Sequence, residues 1–358
     1  MPLVVDSPQG PALWFGADGL RPAGSANNWG AREDCVRIAL VNNMPDSALE
    51  DTESQFCHLL DAAAEKFLVR VKLFSLPNIS RCERGLDRLG RLYFDLNDLW
   101  RDSFDAVIIT GTEPHQPDLR REPFWPALVD VLDWAEENTT STVLSCLAAH
   151  AGVLHSDGIC RRPLEDKRFG VFPFRRVADH ALADRTESLW RFPHSRWNGL
   201  RADALTSCGY TILTQAKDAG VDFFVKKKRK SLFVHFQGHP EYDRLTLFKE
   251  YRRDARRFLN RSRETYPSMP SGYFDVAAVS FLNEFRKKAL SNRSEDLMAD
   301  FPESTIADTV QNTWHSLAVR VYRNWLQYVV SRKADTPALV AVSGGRRSEY
   351  ASARRDLE

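Results

Sequence analysis

No uninterrupted apolar run in the 358 residues approaches the ~18 that a membrane-crossing helix requires. The opening Met1-Pro2-Leu3-Val4-Val5-Asp6 lacks the basic stretch and apolar core of a secretory leader. A membrane protein is therefore not expected, and the cytoplasm is the default compartment. An excess of charge is also missing. The 49 Lys and Arg face 48 Asp and Glu, and a net charge of +1 gives no reason to expect nucleic acid or an anionic membrane as partner. The six cysteines, Cys35, Cys57, Cys82, Cys146, Cys160 and Cys208, include no Cys-x-x-Cys pair. Neither a disulfide framework nor a zinc site is signalled, and no metal is expected. With 43% hydrophobic and 27% charged residues, the chain is long enough to bury a large core and too balanced to be disordered.

Two stretches carry chemistry. In Ser141-Thr142-Val143-Leu144-Ser145-Cys146-Leu147-Ala148-Ala149-His150-Ala151, a β-favouring run meets a cysteine and passes into small helix formers. This reads as a strand turning sharply into a helix. A sulfur at that junction faces the first free N–H groups of the helix, whose partial positive charge favours thiolate. The commoner fate of a lone cysteine is a small buried hydrophobe. In the second stretch, Ser231-Leu232-Phe233-Val234-His235-Phe236 is followed by Gln237-Gly238-His239-Pro240-Glu241-Tyr242-Asp243. Parallel strands of an open α/β sheet end on one edge, so Cys146, His239 and Glu241 could meet there as a triad. His239 would move the proton while Glu241 fixes its tautomer and supports the imidazolium.

Along the chain, residues up to about Arg32 are rich in Gly, Pro, Ala and Asn and read as an extension over the surface. Val36 to Val41 is a buried strand, Thr52 to Ala64 a helix, and Leu68 to Phe74 a second strand, making one βαβ unit. Phe104 to Ile109 is a strand ending at Thr110-Gly111, and Phe124 to Glu137 is a helix leading to the Cys146 strand. Such alternation predicts an α/β fold with a doubly wound, mostly parallel sheet. Gly111 reads equally as a tight turn. Pro193-His194-Ser195-Arg196-Trp197-Asn198 lacks periodicity and suits a loop, and Lys226 to Lys230 suits a solvated hairpin turn. His150, His194 and His235 read as core histidines. Asp243 to Leu259 reads as a helix with a basic, solvated face, Arg252, Arg253, Arg256 and Arg257. Tyr273 to Leu290 and Ile306 to Val330 are further helices, and the chain past Lys333 reads as a fraying tail. The expected division is an N-terminal extension 1–34, an α/β domain 35–262, a helical region 263–332 and a tail 333–358.

Several motifs together resemble the homoserine O-acyltransferases of the homoserine O-succinyltransferase type, relatives of the class I glutamine amidotransferase fold. They are Val41-Asn42-Asn43-Met44-Pro45, Thr52-Glu53-Ser54-Gln55, Ile108-Ile109-Thr110-Gly111, Lys167-Arg168-Phe169-Gly170-Val171-Phe172, Pro193-His194-Ser195-Arg196, Gln237 to Asp243, and Asn324-Trp325-Leu326. The resemblance implies a doubly wound amidotransferase-like sheet with a C-terminal helical appendage, and a homodimer. It implies acyl transfer from acyl-CoA through a Cys146 thioester to the hydroxyl of L-homoserine, a step of methionine biosynthesis. Coenzyme A enters as co-substrate, with no bound cofactor. By the same resemblance, the N–H of Leu147 and one near Gly111 form an oxyanion hole. Lys167 and Arg253 hold the substrate α-carboxylate, Ser195 selects the amino acid, and His115 occupies the position that selects the acyl donor. Histidine there would favour succinyl-CoA, because it can donate a hydrogen bond or charge to a distal carboxylate. This chain departs from the family at Cys146-Leu147-Ala148-Ala149-His150, where Cys-Trp-Gly-Ala-Gln is usual, and at Asp46-Ser47-Ala48-Leu49, where a lysine is usual. The alternatives are acylation of another hydroxy amino acid such as serine, glutamine amide hydrolysis, or a catalytically silent module that binds acyl-CoA or an amino acid.

Overall fold

A computed structural model describes residues 3–10, 12–16, 19–22 and 35–334. The first strands are β1 (Leu3–Val5), β2 (Leu13–Gly16), β3 (Gly19–Pro22) and β4 (Cys35–Val41), followed by α1 (Asp46–Ala64) and β5 (Leu68–Phe74). Next come α2 (Glu83–Leu92), α3 (Leu96–Arg101), β6 (Ala106–Ile109), α4 (Trp125–Asn138), β7 (Ser141–Ser145) and α5 (Leu147–Asp157). The middle of the chain is β8 (Arg162–Arg176), β9 (Leu189–Gly199), α6 (Ala202–Ser207), β10 (Thr211–Ile212), β11 (Thr214–Ala216), β12 (Gly220–Val221), β13 (Phe223–Lys228) and β14 (Ser231–Phe236). Helices α7 (Thr246–Leu259), α8 (Val276–Ser291), α9 (Glu303–Ala307) and α10 (His315–Ala334) complete it. No described helix is long and apolar enough to cross a membrane.

The main sheet has the order β10-β13-β14-β7-β6-β4-β5-β1-β2-β3. Its centre, from β14 through β1, is parallel, as the alternation of strands and helices predicts, and the added edges are antiparallel. The period of two explains why the sheet is buried on both sides. In β4, Val36, Ile38 and Leu40 join one apolar cluster while Ala39 and Val41 join the other. One cluster receives α1, α7, α8 and α10; the second receives α3, α4 and α5.

Four expectations change. Leu3–Val5 does not lie over the surface, because its three apolar residues are buried as a parallel strand beside β5 (Leu3↔Val69). The same extension adds β2 and β3 to the sheet edge, and its residues 1–2, 11, 17–18 and 23–34 fall outside the described residues, as does the tail beyond Ala334. Pro193 to Asn198 is strand rather than loop. It belongs to β9, paired antiparallel with the 15-residue β8 in a second sheet of order β12-β11-β8-β9. Polar His194 and Arg196 point inward there, which hides the alternation from an apolar reading. The basic run does form a hairpin turn at Arg229 (φ 45°), yet it is not simply solvated. Lys226 bonds Asp157 at 2.6 Å, and Lys228 and Arg229 pair with Glu136 and Glu137. Ile306 to Val330 is two helices, because the Asn312 side chain accepts the His315 N–H (2.9 Å) and starts α10 afresh. Within α10, Val321 and Trp325 are buried as their spacing predicts.

Candidate functional site

The carboxyl ends of β4, β6, β7 and β14 are neighbours, so the segments that follow them share one edge. Asn43, just after β4, knits the ends of β4, β6 and the adjacent β5 together. Its N–H donates to Thr110 Oγ1 (2.8 Å), its Nδ2 to the Thr110 carbonyl (3.3 Å), and its Oδ1 accepts the Leu76 N–H (3.0 Å). Beside Thr110, Gly111 approaches the start of α5 so closely that a Cβ there would lie 3.0 Å from Leu147 N. Leu147 is the first residue of α5, a position whose N–H has no acceptor within the helix.

Cys146 precedes it with φ 52° and ψ −110°, in the left-handed half of φ that a side chain rarely occupies. Its N–H donates to the Phe236 carbonyl (2.8 Å), and its carbonyl accepts from Ala149 and His150 (3.1 and 3.3 Å). This strain-holding frame presents the sulfur at the sheet edge, within hydrogen-bonding contact of the His239 ring. His239 Nδ1 in turn lies 2.8 Å from Glu241 Oε1, which also accepts the Ser145 hydroxyl (3.2 Å). Burial opposes a charged His239, but the charges of Cys146 and Glu241 and its hydrogen bonds to both outweigh that cost. The net effect holds the imidazole well above the usual histidine value, so the charged imidazolium is favoured beside Cys146.

Behind His239 is a second buried layer. Its N–H donates to the Pro193 carbonyl (2.8 Å), and the preceding Gly238 N–H donates to Asp222 Oδ1 (2.8 Å). His194 Nε2 is 3.5 Å from the same oxygen, and both side chains are fully buried. Burial pushes Asp222 up to about 6 and His194 well down. Gln237 joins the layer by bonding His150 Nε2 (2.8 Å) and the Val221 carbonyl (2.6 Å).

A second group converges on α7. Glu250 Oε2 accepts the Ser195 hydroxyl (2.5 Å) and faces Lys167 Nζ (3.5 Å), while its Oε1 accepts the Tyr242 hydroxyl (2.9 Å). Lys167 also faces Asp254 (3.6 Å), and Arg253 lies 3.1 Å from Asp254 and 3.9 Å from Glu250. Cations and carboxylates side by side are what a zwitterion needs. His115 lines a separate cavity of about 500 Å³ together with Asn78, Ser80, Thr112, Glu113 and Glu122. Glu122 braces that loop by accepting the His115 and Gln116 N–H groups (both 2.6 Å), and Arg161 bonds the Gln116 and Pro117 carbonyls.

A sequence model described as homoserine O-succinyltransferase matches residues 25–336. The chain belongs to the homoserine O-succinyltransferase family. It is 45% identical over 291 residues to the homoserine O-succinyltransferase of Rhodopseudomonas palustris, covering 81% of this chain and 87% of that one. To that of Methylorubrum extorquens it is 44% identical over 301 residues, covering 84% and 88%. Among solved structures, a glutamine amidotransferase from Methylobacillus flagellatus aligns with TM-score 0.46 and 12% identity over 82% of this chain and 95% of that one.

Of the residues singled out in this member of the homoserine O-succinyltransferase family, Cys146, His239 and Glu241 meet, with Leu147 and Gly111 beside them. Lys167, Ser195 and Arg253 meet around Glu250. Among the described residues, no hydrogen bond or ring contact joins the His115 side chain to either group. Three core histidines are where the sequence puts them: His235 is stacked on Phe224 at 4.6 Å, and burial pushes both it and His150 down to about 3. The sequence reading missed Glu250, Asp254 and Tyr242. The signal was there in the 250, 253 and 254 spacing, which puts two carboxylates and a guanidinium on one face of α7.

Proposed function

We propose that this enzyme transfers a succinyl group from succinyl-CoA, through a thioester on Cys146, to the hydroxyl of L-homoserine, giving O-succinyl-L-homoserine for methionine biosynthesis. The observation that carries the reading is the hydrogen-bonded line from Cys146 through His239 to Glu241 at an edge shared with Gly111 and Leu147. The names of the relatives support the acyl group and the acceptor.

The Cys146 thiolate attacks the thioester carbonyl, and the oxyanion that forms is met by the N–H of Leu147 and one near Gly111. Such a donor is worth roughly 10²- to 10³-fold in rate. The C–S bond to coenzyme A breaks, and His239 gives its proton to the departing sulfur. Thioester exchange between two thiols is nearly balanced in energy, so the step needs no other driving force. The homoserine hydroxyl then loses its proton to His239 and attacks the Cys146 thioester, and the ester leaves as the thiolate is restored. Glu241 holds the imidazole by Nδ1 and supports its charge throughout. Lys167 and Arg253 receive the α-carboxylate, Glu250 receives the α-ammonium, and Ser195 sets the depth of the site. The same reading takes the enzyme to be a cytoplasmic homodimer without a bound cofactor.

Intact-protein mass spectrometry after succinyl-CoA treatment tests this. Wild type is expected to gain one succinyl group that homoserine, but not serine or glutamine, discharges, and Cys146→Ala to gain none. An adduct that persists in Cys146→Ala overturns the assignment.

A further inference from the structure

The two groups described above are joined by one side chain. The Tyr242 ring lies on the His239 imidazole with centroids 4.1 Å apart and planes 16° from parallel. At the other end of the same ring, the hydroxyl donates to Glu250 Oε1 at 2.9 Å. Its backbone is pinned as well. The Tyr242 carbonyl accepts from Trp314 Nε1 (2.9 Å) and Asn312 Nδ2 (3.5 Å), and its N–H donates to the His239 carbonyl (3.2 Å). We propose that Tyr242 is a positioning residue that couples the amino-acid subsite to the proton-transferring histidine.

The claim rests on the functional reading above and has two separable parts. The face of an aromatic ring is negative, so a stacked tyrosine favours the imidazolium over neutral imidazole and keeps its plane aligned with Glu241 and Cys146. The hydroxyl fixes one carboxylate oxygen of Glu250, which leaves Oε2 turned toward Ser195 and Lys167, where an α-ammonium would arrive. Burial first, then the charges of Glu250, Glu241 and Cys146, push the phenol well above its usual value, so it stays a donor at all working pH. A shift of Glu250 when the amino acid binds is therefore transmitted through one rigid ring to the imidazole.

The test uses the full-length enzyme and the variants Tyr242→Phe and Tyr242→Leu. Three quantities are read: single-turnover acylation of Cys146 by succinyl-CoA without acceptor, kcat/KM for homoserine, and the pH profile of Cys146 alkylation by iodoacetamide. Tyr242→Phe keeps the stack and loses the bond to Glu250. Its kcat/KM for homoserine is expected to fall about tenfold more than its acylation rate, and its loss is expected not to add to that of Glu250→Gln. Tyr242→Leu loses the stack, and the acidic limb of its alkylation profile is expected to rise by ~0.5 pH unit relative to Tyr242→Phe. Equal losses in both half-reactions for Tyr242→Phe, or a Tyr242→Leu profile that coincides with Tyr242→Phe, would mean that the tyrosine only packs and would overturn the proposal. A wild type that succinyl-CoA does not acylate overturns the functional reading instead, and the alkylation profile then decides the stacking claim by itself.

Discussion

Replacing Gly111 by alanine probes the proposed oxyanion donor, because the three heavy atoms nearest the added methyl all belong to Leu147. The new Cβ would lie 3.0 Å from both Leu147 N and Leu147 Cβ and 3.5 Å from Leu147 Cα. Ordinary carbon contacts begin at about 3.5 Å, so the start of α5 must retreat by a few tenths of an ångström. Crowding of this kind costs about 1–3 kcal/mol in stability, which a chain of this size tolerates. The effect on chemistry is larger. The methyl lies 3.0 Å from the nitrogen of Leu147, the donor we propose for the charge that develops on the thioester oxygen. Loss of one such donor costs about 2.7–4 kcal/mol in the transition state, or roughly 10²- to 10³-fold in rate. Stopped-flow detection of coenzyme A release under single-turnover conditions reads the acylation step alone, and calorimetry on the same sample reads stability. The expected result is an acylation rate lower by two to three orders of magnitude, a thermal midpoint lower by only a few degrees, and an unchanged KM for succinyl-CoA. An acylation rate within threefold of wild type would refute the placement of the oxyanion beside Leu147.

Two further outcomes follow from particular side chains. His235 is held near a pKa of about 3 against an ordinary 6.5, chiefly by burial, so the neutral ring contributes stability that is fully present above pH 6.5 and is lost as pH falls toward 3. His235→Phe keeps the stack on Phe224 and removes the titration, so its stability relative to wild type should improve by about 1.4 kcal/mol per pH unit below 6.5. Denaturant titrations at pH 8 and pH 5 check this, and a difference that does not change with pH would sink it. We also propose that His115, in its separate cavity, meets the far end of the acyl group. His115→Ala should lower the succinyl-CoA to acetyl-CoA ratio of kcat/KM by roughly tenfold, and His115→Glu should lower it further by repelling the carboxylate. A ratio unchanged in both variants would exclude contact.

Strands that end in chemistry were the most legible part of this sequence. In Ser141 to Cys146 and Ser231 to His239 an apolar run of strand length stops at reactive residues, and parallel topology alone brings such ends to one edge. The β8–β9 hairpin was opaque for the opposite reason. Its inward positions include the polar side chains of His194 and Arg196, which face Asp222 and the Asn198 and Ala219 carbonyls, so hydrophobic alternation could not reveal it. Glu250 was hidden within a helix read as having a solvated basic face. Only the fold shows that Lys167, Ser195 and Tyr242 approach it from β8, β9 and the segment after β14. Leu3–Val5 was lost in the Gly- and Pro-rich composition around it, because three residues are too few to show a period.

The last described helix also sets when the site can be braced. Trp325 of α10 donates its Nε1–H to Ser141 Oγ (2.9 Å) at the foot of the strand that carries Cys146, and Trp314, just before that helix, holds the Tyr242 carbonyl. Near its end Lys333 bonds the Cys35 carbonyl (2.9 Å) and Asp105, at the start of β4 and just ahead of β6. A nascent chain thus emerges with its cysteine strand and histidine loop already made but unbraced, and the two tryptophans lock them only after some three hundred residues have left the ribosome. Contacts that span so much chain close late and slowly. Until they close, Cys146 is housed in an unlocked frame, so its strand and the His239 segment are held together only once α10 has docked.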